Sequence, residues 1–114
     1  LAVINLGSTM VFDAAAQGKP CFYINYNVKE RKDKTWSVKK IYKYVHFRSM
    51  PEKAVIWINN PNELKEKIVE VERTGDVHVV RNASSWFGNI NQHPPEKASE
   101  RIWDEIENLF KQKR

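Results

Sequence analysis

Sulfur, glycine and long apolar runs are scarce in this chain, and each scarcity excludes something. One cysteine, Cys21, stands among 114 residues, so an intrachain disulfide is excluded and a reducing compartment is implied. Cys21 opens an apolar run and reads as core, not as a nucleophile. No apolar run approaches the roughly 18 to 20 residues of a membrane span, and no signal-peptide pattern opens the chain. The expectation is a soluble, cytoplasmic protein, with peripheral contact at the inner membrane surface left open. His46, His78 and His93 lack partners at metal-ligand spacing, so no metal and no resident cofactor are expected. Asn82-Ala83-Ser84 forms a glycosylation sequon, a pattern that arises often by chance and has no meaning in the cytosol.

What is present is a short, basic chain. A length of 114 residues allows one domain and one core. Residue 1 is Leu, inside an apolar stretch with no turn before it, which points to a piece of a longer protein. The net charge of +5 and pI near 9.4 admit nucleic acid, acidic membrane surfaces or phosphorylated ligands as partners. Nucleic acid ranks low, because no nucleic-acid module is recognisable and the helical stretches mix both signs of charge.

The stretch from Leu1 to Asn27 reads as strand, turn, short helix, turn, strand. Ala2-Val3-Ile4-Asn5-Leu6 and Cys21-Phe22-Tyr23-Ile24 are short, apolar and β-branched or aromatic, as buried parallel strands are. Gly7 permits the turn, and Ser8 suits an N-cap whose hydroxyl accepts a free amide. Gly18-Lys19-Pro20 ends the helix. The result is one βαβ unit, and the fold class expected is α/β: a Rossmann-like, three-layer domain with a short parallel sheet of about three strands flanked by helices.

A helix opening just beyond the carboxyl end of a parallel strand points amides and the positive dipole end into the crevice where such sheets bind ligands. Thr9 and Asp13 lie four apart and share a face. That suggests Gly7, Ser8 and Thr9 for a diphosphate and Asp13 for a ribose hydroxyl. The plainer reading is a capping serine and two solvated polar residues. On spacing alone the plainer reading is slightly favoured.

The remainder is read in order. Val28 to Thr35 is an exposed, highly charged loop, where Lys29, Arg31, Lys32 and Lys34 face either a membrane surface, a donor phosphate or, as is commonest for such runs, water. Ile41, Tyr42, Tyr44, Val45 and Phe47 are too aromatic for a free loop and are expected to pack as a short strand or helical turn. Ala54 to Ile58 is a third strand. Asn60 as N-cap, Pro61 at the first helical position and Glu63 mark a helix that buries Leu64, Ile68 and Val71 and ends at Gly75. Residues 76–90 fit a strand through Val77, Val79 and Val80, or a helix through Val80, Ala83, Ser84 and Phe87. Asn91 to Pro95 is a polar joint, followed by an amphipathic helix from about Glu96 to Lys111 and a basic tail to Arg114.

The run N-L-G-S-T-M-V-F-D-A-A-A-Q-G-K-P, residues 5–20, resembles the donor-binding helix in the C-terminal domain of GT-B glycosyltransferases, above all capsule and polysaccharide biosynthesis enzymes. It is also similar to the S-S-x-x-F-D segment of CDP-glycerol glycerophosphotransferases. Tyr44-Val45-His46-Phe47 resembles a Y-x-H-F stretch of the polysaccharide group, and Lys97-Ala98-Ser99-Glu100-Arg101-Ile102 its K-A-S-x-R-I segment. The resemblance implies a GT-B fold, a nucleotide-diphosphate sugar as donor substrate and Asp13, five before Gly18, on the ribose. Many members carry Glu there. It makes His46 a further donor-site candidate, able to donate to a phosphate or sugar hydroxyl. It also implies an N-terminal domain of the same enzyme carrying the acceptor half, to which the last helix crosses back, with Trp103 suited to that contact.

Three functions follow from these residues. The first is a glycosyltransferase, with this chain as its donor-binding region, inactive alone and containing no evident catalytic base. The second is glycerol-phosphate transfer from CDP-glycerol. The third is a noncatalytic α/β module that binds an anion or a protein. An exposed sheet edge would favour pairing between copies.

Overall fold

The apolar runs of the first 58 residues pair as a three-stranded parallel sheet. The structure is a computed structural model describing residues 1–91 and 94–112. Strands β1 (Val3–Asn5), β2 (Cys21–Ile24) and β3 (Ile56–Ile58) lie in the order β1-β2-β3. Val3, Ile4 and Asn5 face Cys21, Phe22 and Tyr23, while Phe22, Tyr23 and Ile24 face Ile56, Trp57 and Ile58. The central strand carries the most buried side chains, since both of its edges are paired.

Helix α1 (Met10–Ala16) joins β1 to β2. The β2 to β3 connection holds α2 (Val38–Ile41) and a 3-10 helix (Val45–Ser49). Then come α3 (Glu63–Thr74), α4 (Val77–Ile90) and α5 (Ala98–Gln112), the last preceded by a 3-10 turn at Pro95–Lys97. Alternate residues of β2 point to opposite faces, so the chain builds two cores. Cys21 and Tyr23 join Val11, Ala15, Phe47 and Trp86 on one face. Phe22 and Ile58 join Val71, with Leu64 and Ile68 packed beside them, on the other. Helices thus cover both faces of a mixed α/β fold.

Several local expectations shift in detail. Thr9, with helical φ and ψ, takes the cap position expected for Ser8. The Ser8 hydroxyl still accepts the Met10 amide at 3.2 Å, two residues on, as a capping side chain does. α3 begins at Glu63 behind Asn62, not at Pro61 behind Asn60. Asn60 accepts the Asn62 amide at 3.0 Å, and Glu63 reaches back to the Asn59 amide at 3.1 Å. This is a capping-box pattern whose returning bond falls one residue early, on Asn59 and not on Asn60. Gly75 closes α3 at φ 70°, and Asp76 follows at φ 41°.

The ambiguous residues 76–90 are helical. Val79, Ala83 and Trp86 fall on one buried face, and Ala83 and Trp86 join the core formed by α1 and the sheet, which a strand could not arrange. Of the aromatic run after α2, Ile41, Tyr42 and Phe47 pack as expected, but Tyr44 and Val45 are exposed. The extended backbone at Tyr44 turns these two side chains outward. Asn82 of the sequon lies in mid-helix and donates to the Glu52 carbonyl at 3.1 Å.

α5 is helical as expected, yet it buries no residue. Trp103 is 65% and Phe110 68% exposed. The radius of gyration is 18.2 Å, against about 13 Å for a compact chain of this length, because α5 extends from the body. Gln92 and His93 of the polar joint and the last two residues of the basic tail lie outside the described residues.

Burial keeps several ionisable groups neutral. The Cys21 thiol is pushed from 9.0 to about 11 by desolvation, partly offset by the Asn5 side chain. The Tyr42 hydroxyl is pushed from 10.0 to about 12, again mainly by desolvation. The unfolded chain loses these protons at the lower, ordinary values, so their contribution is complete below about pH 9 and declines as pH rises through the folded values. Melting temperature should therefore hold up to pH 9 and fall above it. Cys21→Ala should flatten the earlier part of that fall in a pH series followed by circular dichroism; an unchanged profile would remove Cys21 from the effect.

Candidate functional site

The turn from Gly7 to Thr9 lies at the carboxyl end of β1 and is shaped by side chains from three elements. Asn5, the last residue of β1, accepts the Ser8 amide through Oδ1 at 3.0 Å. Its Nδ2 donates to the Cys21 sulfur at 3.3 Å. Tyr23, the residue paired with Asn5, donates its hydroxyl to the Ser8 carbonyl at 2.8 Å. The turn is therefore held from below on both sides of Ser8.

Gly7 adopts φ +74°, a conformation open to glycine and costly for other residues. It also sits close under the β2 to β3 connection. A Cβ at this position would lie 2.9 Å from Ile41 Cγ2, 2.9 Å from Tyr42 Cε1 and 3.1 Å from Phe47 Cζ. Behind this contact lies an aromatic group: Tyr23 packs against Tyr42, Phe47 and Trp57 with ring centroids 5.7, 6.0 and 5.8 Å apart.

His46 enters the same neighbourhood through Phe47, whose ring is 4.1 Å from the imidazole. The His46 carbonyl accepts from the buried Trp86 indole at 3.2 Å, which anchors the backbone and leaves the half-buried ring on the aromatic edge. Gly7 and His46 thus share Phe47 as a neighbour. Asp13 goes elsewhere. It occupies the exposed flank of α1 one turn below Thr9, where with Phe12, Ala16, Ser84 and Phe87 it lines a shallow cavity of about 190 Å³ between α1 and α4.

The donors available at the turn are fewer than the sequence implies. The amides of Ser8 and Met10 bond to Asn5 and Ser8 side chains, and those of Val11 and Phe12 to the carbonyls of Ser8 and Thr9. Among the described residues, the amides of Gly7 and Thr9 have no acceptor within the chain. With the Thr9 hydroxyl, these form the polar surface open to an anion. No three His, Cys, Asp or Glu among the described residues gather closely enough to hold a metal ion.

Asn5, Tyr23 and Tyr42 support the site and were not singled out in the sequence. The signal for Asn5 was a polar residue at the end of an apolar strand, two before a glycine, a position suited to bonding its own turn. Tyr23 and Tyr42 carried no such signal, since aromatic residues in and beside a strand read simply as core.

Gly7→Ala combines a left-handed backbone with overlap onto three side chains, and the cost should be about 3 kcal/mol. Urea unfolding of variant and parent would measure it, and a loss below 1 kcal/mol would show that the 41–47 segment yields easily. No protein-family model, curated protein or solved structure matches this chain, so its functional reading rests on the residues themselves.

Proposed function

We propose that this chain is the donor-binding region of a nucleotide-sugar glycosyltransferase of GT-B architecture. The observation that carries the reading is the Gly7 to Thr9 turn: a left-handed glycine at the carboxyl end of a parallel strand, opening a helix, with the Gly7 and Thr9 amides without an acceptor among the described residues and Thr9 exposed. The resemblance of residues 5–20 to the donor helix of those enzymes supports it, as does the Phe47 link that places His46 near the turn.

In this reading the donor diphosphate binds the Gly7 and Thr9 amides and the Thr9 hydroxyl. His46 reaches an outer phosphate or sugar hydroxyl from the aromatic edge. Asp13 accepts from the ribose on the flank below Thr9, with the apolar walls of Phe12 and Phe87 beside it. Transfer breaks the bond between the anomeric carbon and the diphosphate oxygen and forms one to the acceptor oxygen. The departing diphosphate gains negative charge, and the amides and helix dipole stabilise it. The acceptor proton passes to a base outside this chain.

A second reading, a noncatalytic anion-binding or interaction module, is favoured by the internal pairing of the Ser8, Met10, Val11 and Phe12 amides. Calorimetric titration with UDP, CDP, GDP and pyrophosphate separates the two. Selective binding of one nucleotide is expected, and Asp13→Ala should weaken it by about tenfold or more, the value of one hydrogen bond to a charged acceptor. Preference for CDP would direct attention to glycerol-phosphate transfer. Equal affinity of variant and parent removes Asp13 from the site, and pyrophosphate binding without nucleotide preference supports the module.

A further inference from the structure

Four of the five net positive charges of the chain fall within residues 27–40, where Lys29, Arg31, Lys32, Lys34, Lys39 and Lys40 outnumber Glu30 and Asp33. This segment is not a loose connection. The Asn27 side chain accepts the Val38 amide at 2.9 Å and closes the neck of a loop. Arg31 crosses the interior, donating through Nε to the Trp36 carbonyl at 3.0 Å and through Nη1 to the Val28 carbonyl at 3.1 Å. Lys34 donates to the Lys29 carbonyl at 2.7 Å and Lys40 to the Thr35 carbonyl at 2.6 Å. Asp33 accepts from the Thr35 amide and hydroxyl at 2.8 and 2.7 Å, and these bonds hold its carboxyl below its ordinary range.

The two carbonyls that Arg31 joins belong to exposed apolar residues. Val28 is 56% and Trp36 37% exposed, and with Leu6, 42% exposed, they border a shallow cavity of about 160 Å³ whose floor includes Ile24 and Tyr26. An apolar patch containing an indole is therefore fixed at the base of a basic loop, within a segment, residues 27–40, that carries most of the net charge. Lys29 and Lys32 are exposed on that loop, and Lys39 is exposed on α2 one residue beyond its neck.

We propose that this patch and loop form a docking surface for an anionic lipid bilayer. Tryptophan is favoured at the depth of lipid headgroups, aliphatic side chains beside it enter the acyl boundary, and lysines around it meet the lipid phosphates. A soluble phosphate would leave Val28, Trp36 and Leu6 in water, whereas a bilayer accounts for both the charge and the apolar surface. Arg31 is the positioning residue, because its guanidinium sets the spacing of the Val28 and Trp36 backbones. The inference stands independently of the nucleotide reading, since it uses none of the same side chains.

The test is co-sedimentation of the full chain with vesicles of phosphatidylcholine alone and of phosphatidylcholine mixed with phosphatidylglycerol. Binding is expected to the mixed vesicles and to weaken as salt is raised. Each lysine near an anionic surface changes the binding constant by about fivefold, so Lys29→Gln, Lys32→Gln and Lys39→Gln together should reduce it by about a hundredfold. Trp36→Ala should reduce it by about tenfold through the lost apolar contact. Melting curves of the variants confirm that each remains folded, as expected for exposed side chains with no part in the loop's internal bonds. Absence of binding to mixed vesicles, equal binding to both kinds, or full binding by the folded triple variant would each overturn the proposal.

Discussion

Tyr23 is the residue on which most of this structure depends. Its backbone lies in the central strand β2, paired on both sides, opposite Asn5 and Trp57. Its ring is fully buried among Tyr42, Phe47 and Trp57, and its hydroxyl reaches the Ser8 carbonyl. Desolvation pushes the phenol well above its ordinary value, so the proton that makes this hydrogen bond remains in place at any ordinary pH. One side chain therefore ties the sheet, the β2 to β3 connection and the candidate anion-binding turn together.

This arrangement holds the turn from two sides. Gly7 lacks the atom that would push Ile41, Tyr42 and Phe47 away, and those residues in turn occupy the space a larger side chain would need. The close approach is mutual. A turn enclosed in this way has a defined geometry before any ligand arrives, at the expense of amides drawn into internal bonds. Only Gly7 and Thr9, among the described residues near the helix start, keep theirs.

Much of the fold was legible in the sequence because its signals are local. Paired apolar runs around an alanine-rich helix define the βαβ unit, and the Asn60, Glu63 and Gly75 signals bracket α3 to within a few residues. α4 was not legible, because Val77, Val79 and Val80 suit a strand while Val80, Ala83, Ser84 and Phe87 suit a helix. What decides it is tertiary: Trp86 buries completely and bonds the His46 carbonyl. The exposure of Tyr44 and Val45 was hidden for a related reason, since aromatic content does not reveal which way a backbone turns. At the candidate site, the glycine turn and the Thr9 and Asp13 flank could be read from spacing. The role of Asn5 and the divergence of Asp13 from His46 depend on packing between segments distant in sequence.

The closed neck at Asn27 and Val38 has a consequence for how this chain tolerates change. Pairing β1 with β2 closes the segment 6–20, and pairing β2 with β3 closes the segment 25–55, roughly twice as long. Doubling a loop costs only about 0.6 kcal/mol in chain entropy, and the side chain of Asn27 removes most of residues 28–37 from the path between the strands. Insertions or deletions between Lys29 and Thr35 would leave the sheet register untouched. The loop can therefore change in length without disturbing the sheet beneath it, a structural freedom that Gly7, packed against Ile41, Tyr42 and Phe47, does not share.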